Sequence, residues 1–183
     1  QYKATRKGMP EELAVQLPYA KEAMRALGIR LIEAEGFEAD DILGTCSMFS
    51  LDNSELMSYI LTGDKDSFQL IRDNVNVLYA STGETVRFDR EAFEKKYPGI
   101  CPEQFVDVKA LMGDSSDNIP GVAGIGEKTA VSLISEFGSL DKVYENLESA
   151  SIKPAARKKL AEGKECAYLS RTLAEIKTDT PLN

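Results

Sequence analysis

The residues of this sequence best suited to chemistry are carboxylates, and they cluster in three short motifs. The motifs read GFEADDILG, LTGDKDSF and GDSSDN. Their carboxylates are Glu38, Asp40, Asp41, Asp64, Asp66, Asp114 and Asp117. The sequence contains no histidine, so mechanisms that need an imidazole base or ligand are excluded. Carboxylates gathered in one crevice repel one another, and hard divalent cations with oxygen ligands are their natural compensation.

Each motif alone also has an ordinary structural explanation. An aspartate near the start of a helix is commonly a cap or a partner of the helix dipole. The joint pattern favours a site, because Asp64 and Asp66 follow an apolar run and strand ends in an open α/β sheet share the edge where ligands bind. Two divalent ions about 4 Å apart can activate a water and stabilise the leaving oxygen of a phosphodiester.

A glycine-rich stretch, GVAGIGEKTA, follows the third acidic motif. It is not a phosphate-binding P-loop, because Glu127 stands between Gly126 and Lys128. It is not a dinucleotide fingerprint either, because Thr129 holds the position of the third glycine. What remains is a hairpin before a helix, in which Gly124 and Gly126 permit close backbone approach and Lys128 and Thr129 can add a charge and a hydroxyl to a phosphate contact. A turn that needs glycines only for its own shape is the alternative.

The elements expected to position these residues alternate between helix and strand in the first part of the chain. Helices are expected at Pro10–Leu27, which Pro18 kinks or splits and Gly28 ends, and at Ala39–Phe49, Asp89–Tyr97 and Pro102–Met112. Strands are expected at Ile29–Ile32, Tyr59–Leu61, Val75–Tyr79 and Thr85–Phe88, the last two as a hairpin. From Gly126 onward only helical patterns remain, with breaks at Gly138 and Pro154. The fold class expected is α/β with a mainly parallel sheet in residues 1–112, followed by an all-helical region in residues 113–183.

Composition limits the classes of protein that remain. The net charge is −8, and residues 31–119 carry eighteen acidic and seven basic residues, so the acid is concentrated where the motifs lie. Three scattered cysteines without a CxxC pair argue against a disulfide framework or a zinc site and for a reducing compartment. No apolar run approaches the length of a membrane span, so we expect no membrane partner. The chain begins without a methionine, inside a polar stretch, and we expect it to be a piece of a longer protein.

The motifs GFEADD, TGDKD and GDSSDNIPG, followed by GIGEKTA, resemble the flap endonuclease family, which includes the 5′-nuclease domains of bacterial DNA polymerases I. The resemblance covers essentially the whole chain. It implies a PIN/resolvase-like core followed by a helix–three-turn–helix DNA-binding region, with two clusters of Mg²⁺ or Mn²⁺ and a K⁺ at the hairpin. The implied substrate is DNA at a 5′ flap, a nick or a 5′ end, as in primer removal during replication and repair.

Carried over to this sequence, the resemblance assigns three groups of residues. The metal ligands are Glu38, Asp40, Asp41, Asp64, Asp66, Asp114 and Asp117. Lys3 and Arg6 are the catalytic basic groups at the scissile phosphate. The DNA contacts are Tyr2, Lys3, Arg6, Gly124, Gly126, Lys128 and Thr129.

The resemblance also implies more about the longer protein. A strand with a further ligand aspartate is expected before Gln1 and a polymerase portion after Asn183, so we expect this chain alone to be weakly active. The implied location is the cytoplasm, at the bacterial nucleoid. Two rival functions remain: a non-catalytic duplex-DNA-binding module that uses only the hairpin, and a phosphatase that uses one aspartate of the DxD pair as its nucleophile.

Overall fold

A computed structural model describes residues 3, 8–51, 53 and 55–182 of the chain. Two of the residues assigned by resemblance, Tyr2 and Arg6, lie outside the described residues. The described part is an α/β fold, as the sequence predicts, with helices on a small sheet and a helical region after it. Within this part of the chain, no helix is both long enough and apolar enough to cross a membrane.

In the described part of the chain, the sheet has three strands in the order β1-β2-β3. Strand β1 pairs in parallel with β2, from Ser58↔Val75 to Thr62↔Tyr79, and β2 pairs antiparallel with β3. The bounds are β1 Ser58–Thr62, β2 Val75–Ser81 and β3 Glu84–Phe88. The predicted hairpin is confirmed: a two-residue turn joins β2 to β3, and Gly83 takes the positive φ of 95° that such a turn requires. The sheet of the described residues is therefore small and mixed, with one parallel and one antiparallel pair of strands.

The strand predicted at Ile29–Ile32 is wrong. Residues 29–34 have no regular structure, and the Ile29 side chain is half exposed. A short apolar run becomes a strand only when a neighbouring strand supplies the hydrogen-bond ladder, and none of the described strands pairs with this run.

The first two helices form an exposed arm. The helix predicted from Pro10 is two helices, α1 Glu11–Ala14 and α2 Leu17–Ala26, and neither contains a buried residue. The break falls just before Pro18, which sits in the first turn of α2, where a missing N–H costs nothing. Gly28 follows α2 with a φ of 75°, as expected for the glycine that ends a helix.

The helices that surround the sheet bring aromatic side chains into one core. Phe68 lies at its centre, with its ring centroid 4.6 Å from Phe88 and 5.8 Å from Phe105. Asp89 caps α4 by accepting a 2.9 Å hydrogen bond from the Ala92 amide, as predicted. The bounds are α3 Ala39–Met48, a 3-10 helix Lys65–Leu70, α4 Arg90–Lys96, a 3-10 helix Pro102–Gln104 and α5 Phe105–Met112.

The helical region packs against α5, which is almost wholly buried. Its helices are α6 Glu127–Phe137, α7 Leu140–Glu145, α8 Pro154–Glu162 and α9 Lys164–Ala174. One hydrophobic cluster runs without interruption from Ile60 in β1 to Ala167 in α9. The two predicted regions thus share a core, and their division at residue 112 stays a prediction.

Candidate functional site

Six of the seven predicted carboxylates line one cavity of about 260 Å³. They are Glu38, Asp40, Asp41, Asp64, Asp66 and Asp117. The other wall of the cavity is the end of α9 and the segment after it, residues 172–177. Carboxylates from motifs far apart in the sequence therefore meet in one cavity, as the motifs predict. The sequence did not predict that residues 172–177 would form the other wall of this cavity.

Local structure explains how each motif reaches the cavity. Glu38 is the N-cap residue of α3, so the first turn of this helix presents the first motif. Asp64 ends the polar tip of β1 and caps the following 3-10 helix, accepting a 2.9 Å hydrogen bond from the Asp66 amide. The third motif forms a tight loop after α5, closed by reciprocal backbone hydrogen bonds between Asp114 and Ile119.

Both carboxyl oxygens of Asp41 accept hydrogen bonds from backbone amides. Its Oδ2 accepts a 3.0 Å hydrogen bond from the Glu38 amide, which closes the first turn of α3. Its Oδ1 accepts a 2.8 Å hydrogen bond from the Lys177 amide in the returning C-terminal segment. Backbone amides thus engage both carboxyl oxygens of this predicted ligand.

A lysine that the motif analysis missed lies between the second and third motifs. Lys109 of α5 is only 4% exposed, and its Nζ lies 2.7 Å from Asp66 Oδ1 and 2.5 Å from Asp114 Oδ2. Asp114 does not line the first cavity; it faces a second one of about 330 Å³, whose lining it shares with Asp64 and Lys109. The signal in the sequence was a lysine inside the largely apolar run FVDVKALM, whose other charged residue is Asp107; the residues beside Lys109 pack in the core.

Charge in the site is unevenly compensated. Burial, and then the charge of Asp64, raises the pKa of Asp40. Burial raises the pKa of Asp66 to about 6 in spite of the Lys109 ammonium. Burial would also raise the pKa of Asp114, but hydrogen bonds from Lys109 and Ser116 outweigh it and lower that pKa to about 2. The cavity side of the cluster therefore holds more negative charge than the neighbouring lysines neutralise.

Lys3 is directed into the acidic cluster. Its ammonium forms an ion pair with Glu38 and lies 3.7 Å from Asp117 Oδ2. Its backbone amide donates a 2.9 Å hydrogen bond to the Asp117 carbonyl. The structure therefore places this predicted catalytic residue against two of the predicted metal ligands.

The donor set suits a hard divalent cation in type, since oxygen ligands carrying surplus negative charge surround one cavity. Among the described residues, however, no three acidic or cysteine side chains converge closely enough to hold an ion. Lys3, Lys109 and a backbone amide contact oxygens of four of the predicted ligands, Glu38, Asp66, Asp114 and Asp41.

The glycine hairpin is anchored by apolar side chains and leaves its polar residues exposed. Val122 and Ile125 are buried, whereas Gly124, Gly126 and Lys128 are exposed, as is Thr129. Two backbone amides of the hairpin hold it in place: the Val122 amide donates to the Leu111 carbonyl of α5, and the Gly121 amide donates to the Ser170 hydroxyl of α9.

The two predicted glycines of the hairpin differ in their surroundings. Gly124 has a φ of 77°, and a Cβ there would lie 2.6 Å from the Nζ of Lys159, which donates a 3.0 Å hydrogen bond to the Gly124 carbonyl. Gly126 precedes α6 in an extended conformation, and a Cβ there would meet nothing within 4 Å. Only Gly126 therefore leaves open space beside the helix start, while Gly124 is required by the turn and by Lys159, a contact that the sequence did not reveal.

Comparison with known proteins agrees with the motifs. Residues 1–98 match the model of the 5′-3′ exonuclease N-terminal resolvase-like domain, and residues 100–183 match that of the 5′-3′ exonuclease C-terminal SAM fold. The DNA polymerase I of Caldicellulosiruptor bescii is 46% identical over the whole chain, and that of Bacillus subtilis is 42% identical. The chain spans 22% and 21% of the lengths of these two relatives.

Solved structures share the fold. The D15 protein of phage T5, crystallised with metal ions, has a TM-score of 0.78 at 25% identity, covering 97% of this chain and 69% of its own. A T5 5′-exonuclease with zinc bound has a TM-score of 0.77 at 26% identity, covering 97% of this chain and 68% of its own. The catalytic core of Rad2 in complex with DNA, at 20% identity and a TM-score of 0.58, shows the same fold over 96% of this chain and 60% of its own. This chain belongs to the 5′-3′ exonuclease family.

Proposed function

We propose that this chain is the nuclease part of a metal-dependent, structure-specific 5′-nuclease that hydrolyses DNA phosphodiesters at 5′ flaps, nicks or 5′ ends. The observation that carries the proposal is the meeting of six predicted carboxylates in one cavity, joined through the loop 113–121 to the exposed hairpin. The family and the metal-containing T5 structures support it. Replication and repair, with removal of primers, is the process to which such an activity belongs.

Mg²⁺ or Mn²⁺ is the cofactor proposed, in two ions. The residues that would hold them are Glu38, Asp40, Asp41, Asp64, Asp66, Asp114 and Asp117. When bound, such ions would activate a water and stabilise the leaving oxygen of the phosphodiester. The raised pKa of Asp40, caused by burial and by the neighbouring Asp64, supports this assignment because a cation beside the pair would favour their charged forms.

The residues of the chain itself would bind and position the DNA. The exposed N-terminus of α6, with Gly126, Lys128 and Thr129, would grip a phosphate of the duplex backbone without reading its sequence. The Lys3 ammonium would neutralise charge on the scissile phosphate, because its contacts with Glu38 and Asp117 lie at the edge of the cavity. Tyr2 and Arg6 are assigned to the same single-stranded contact.

Two further features complete the proposal. A K⁺ ion is proposed near the hairpin carbonyls, where the hydrogen bond from Lys159 to the Gly124 carbonyl indicates an electronegative position. A helix–three-turn–helix DNA-binding region in residues 113–183 is proposed to follow the nuclease core of residues 1–112. In the longer protein, a polymerase portion is proposed to follow, as the relatives suggest.

Cleavage of labelled flap DNA with and without Mg²⁺ tests the proposal, using the chain with its native flanking sequences. We expect Mg²⁺-dependent release of short fragments, and loss of at least about 100-fold in rate in Asp64→Asn and Asp117→Asn. Failure of the wild type to cleave any flap, nick or 5′ end with either metal would contradict it.

The same assay separates the rival functions. The hairpin favours a non-catalytic DNA-binding module as second candidate, because its exposed residues do not depend on the acidic cavity. That rival predicts duplex binding without cleavage, and binding weakened by Lys128→Ala with the salt dependence reduced by about one unit of slope. Hydrolysis of small phosphate esters without cleavage of DNA would instead favour the phosphatase.

A further inference from the structure

We propose that Lys109 competes with a divalent cation for Asp66 and Asp114, so that binding of metal at this pair exchanges a lysine ammonium for the ion. The inference rests on the proposed function, because it concerns the ion that the third motif would hold. It adds a residue that none of the acidic motifs contains, and it concerns the affinity for metal and not the steps of cleavage.

The position of Lys109 is built by the fold. It lies in α5, a helix in which every residue from Phe105 to Leu111 is buried, and its own side chain is only 5% exposed. Its Nζ is within 2.7 Å of a carboxyl oxygen from each of two motifs, Asp66 and Asp114. A buried ammonium requires such partners, because an unpaired charge in the interior is costly.

The oxygens that contact Lys109 are those that a shared ion would need. Asp114 Oδ1 already accepts hydrogen bonds of 2.8 Å from the Ser116 amide and 2.6 Å from its hydroxyl, so Oδ2 is the oxygen left for a cation. Lys109 holds that oxygen, together with Asp66 Oδ1. An ion bridging Asp66 and Asp114 would therefore meet the ammonium at the same place.

Electrostatic repulsion prevents the Lys109 ammonium and a divalent ion from occupying this position together. A doubly charged ion and an ammonium that share two carboxylates lie within a few ångströms, and like charges at such distances repel strongly in a partly buried site. The competing charge is specific to Lys109. Lys65 stands between Asp64 and Asp66 in the sequence, but its side chain is exposed and forms no ion pair among the described residues. Lys65 is therefore a matched control: it carries the same charge near the site, but its ammonium does not contact the carboxylates of Asp66 and Asp114.

The test is calorimetric titration with Mn²⁺ of the wild type, Lys109→Met and Lys65→Met, each with its native flanking sequences. We expect Lys109→Met to bind Mn²⁺ on the order of ten-fold more tightly, or to bind one more equivalent, because a competing charge is removed. Lys65→Met should remain within about two-fold of the wild type, since an exposed charge is screened. Adding Asp114→Asn to Lys109→Met should abolish the gain.

A second variant guards against loss of folding, because Lys109→Met leaves two carboxylates without their ammonium. Lys109→Gln keeps hydrogen-bond donors for both oxygens while removing the charge, and it should show the same gain in Mn²⁺ affinity. Mn²⁺ should also raise the melting temperature of both variants more than that of the wild type.

The outcomes distinguish this inference from the proposed function. Mn²⁺ bound by the wild type, but no more tightly by Lys109→Gln, would overturn the competition and leave the metal site intact. Weaker binding in Lys109→Gln would also overturn it and would show that Lys109 instead organises the carboxylates for the ion. No Mn²⁺ bound by any of the proteins would overturn the metal assignment itself.

Discussion

At the scale of single residues, the carboxylates were predictable because their positions follow from local rules. A polar tip on an apolar strand and a helix N-cap can be recognised within a few residues, so the sequence alone predicts the positions of Asp64 and Glu38. Lys109 and Lys159 could not be assigned in this way. Their contacts, with Asp66 and with the Gly124 carbonyl, join residues far apart in the chain and depend on how helices pack.

The glycines of the hairpin provide a prediction at this scale. Gly126→Ala should leave the melting temperature within about 2 °C of the wild type, since its Cβ meets nothing and the φ of −96° suits alanine. It should nevertheless weaken binding to duplex DNA about ten-fold if the DNA backbone approaches this position closely. Fluorescence anisotropy with a labelled duplex gives the affinity, and thermal unfolding gives the stability.

Gly124→Ala is the matched control for that experiment. Its positive φ and the close Lys159 ammonium predict a loss of stability of about 1–2 kcal/mol. Unchanged DNA affinity in Gly126→Ala would remove this glycine from the interface, whereas a fall in its melting temperature equal to that of Gly124→Ala would show that Gly126 also serves the fold.

At the scale of elements, the predictions were correct for helices and strands whose own sequence carries a capping or turn signal. The β2–β3 hairpin, α4 with its Asp89 cap and α6 before Gly138 are all confirmed. The segment Ile29–Ile32 was predicted wrongly. Its apolar residues resemble a strand, but a strand also needs a neighbouring strand to form its hydrogen-bond ladder. The order of the strands was not predicted, since it is a property of pairing between segments and not of one segment.

An ion pair between elements gives a pH-dependent prediction. Glu103, in the 3-10 helix before α5, accepts a 2.7 Å hydrogen bond from the Arg90 guanidinium of α4. Burial would raise the pKa of Glu103, but the hydrogen bond from Arg90 and further partners lower it overall from the ordinary value of 4.5. A lowered pKa in the folded state means stability that is present above pH 4.5 and lost as the pH falls through the folded value.

We therefore expect Glu103→Gln to be less stable than the wild type at pH 7 by up to about 1 kcal/mol, because a partly exposed pair is screened. The difference should shrink below pH 4.5. Urea unfolding from pH 7 to pH 3 measures it, with Glu94→Gln as control, since Glu94 only reaches Arg90 at 3.9 Å. A stability difference that grows as the pH falls would contradict the assignment.

At the scale of the whole molecule, three helices meet at one buried carboxylate. Asp107 of α5 accepts hydrogen bonds of 2.7 Å from Arg171 Nε in α9 and 3.1 Å from the Leu140 amide at the start of α7. Asp107→Ala should cost about 3 kcal/mol, because it leaves an amide and a guanidinium without their partner. Asp107→Asn should recover part of this loss, since an amide oxygen can still accept from Leu140.

Asp141→Ala is the control for this pair of variants in urea unfolding. It removes the same charge and one hydrogen bond, from the exposed Tyr168 hydroxyl, so a loss below about 1 kcal/mol is expected. Equal losses for Asp107→Ala and Asp141→Ala would show that Asp107 does not join the three helices energetically.

At this scale, the sequence did not predict that the C-terminal segment, residues 175–182, packs back against α3. Hydrogen bonds from the Ile176, Lys177 and Thr180 amides reach Gln69, Asp41 and Thr45, partners 107, 136 and 135 residues away. No local pattern marks such contacts. They place this segment against α3 and make it a wall of the acidic cavity, so the end of the chain helps to shape the candidate site.

Gly44 of α3 makes this docking possible and supplies the last prediction. Alanine normally stabilises an exposed helix position by about 1 kcal/mol relative to glycine. At Gly44, however, a Cβ would lie 2.8 Å from both Ile176 Cγ2 and the Lys177 carbonyl oxygen. The backbone carbonyl cannot turn aside as a flexible side chain could, so we expect Gly44→Ala to destabilise by about 1–3 kcal/mol.

Hydrogen exchange locates the effect of that substitution. The amides of Lys177 and Thr180 should exchange faster in Gly44→Ala, because their acceptors Asp41 and Thr45 lie on the helix from which the segment would be displaced. The amides of β2, away from this contact, should retain their protection relative to global stability. Thr45→Val removes the Thr180 acceptor and the hydroxyl's own 2.8 Å hydrogen bond to the Asp41 carbonyl, but it leaves the Asp41 carboxylate in place. It should therefore speed exchange at Thr180 more than at Lys177. A gain in stability for Gly44→Ala, with protection of both amides intact, would mean that the segment does not dock on α3 and would remove it from the wall of the candidate site.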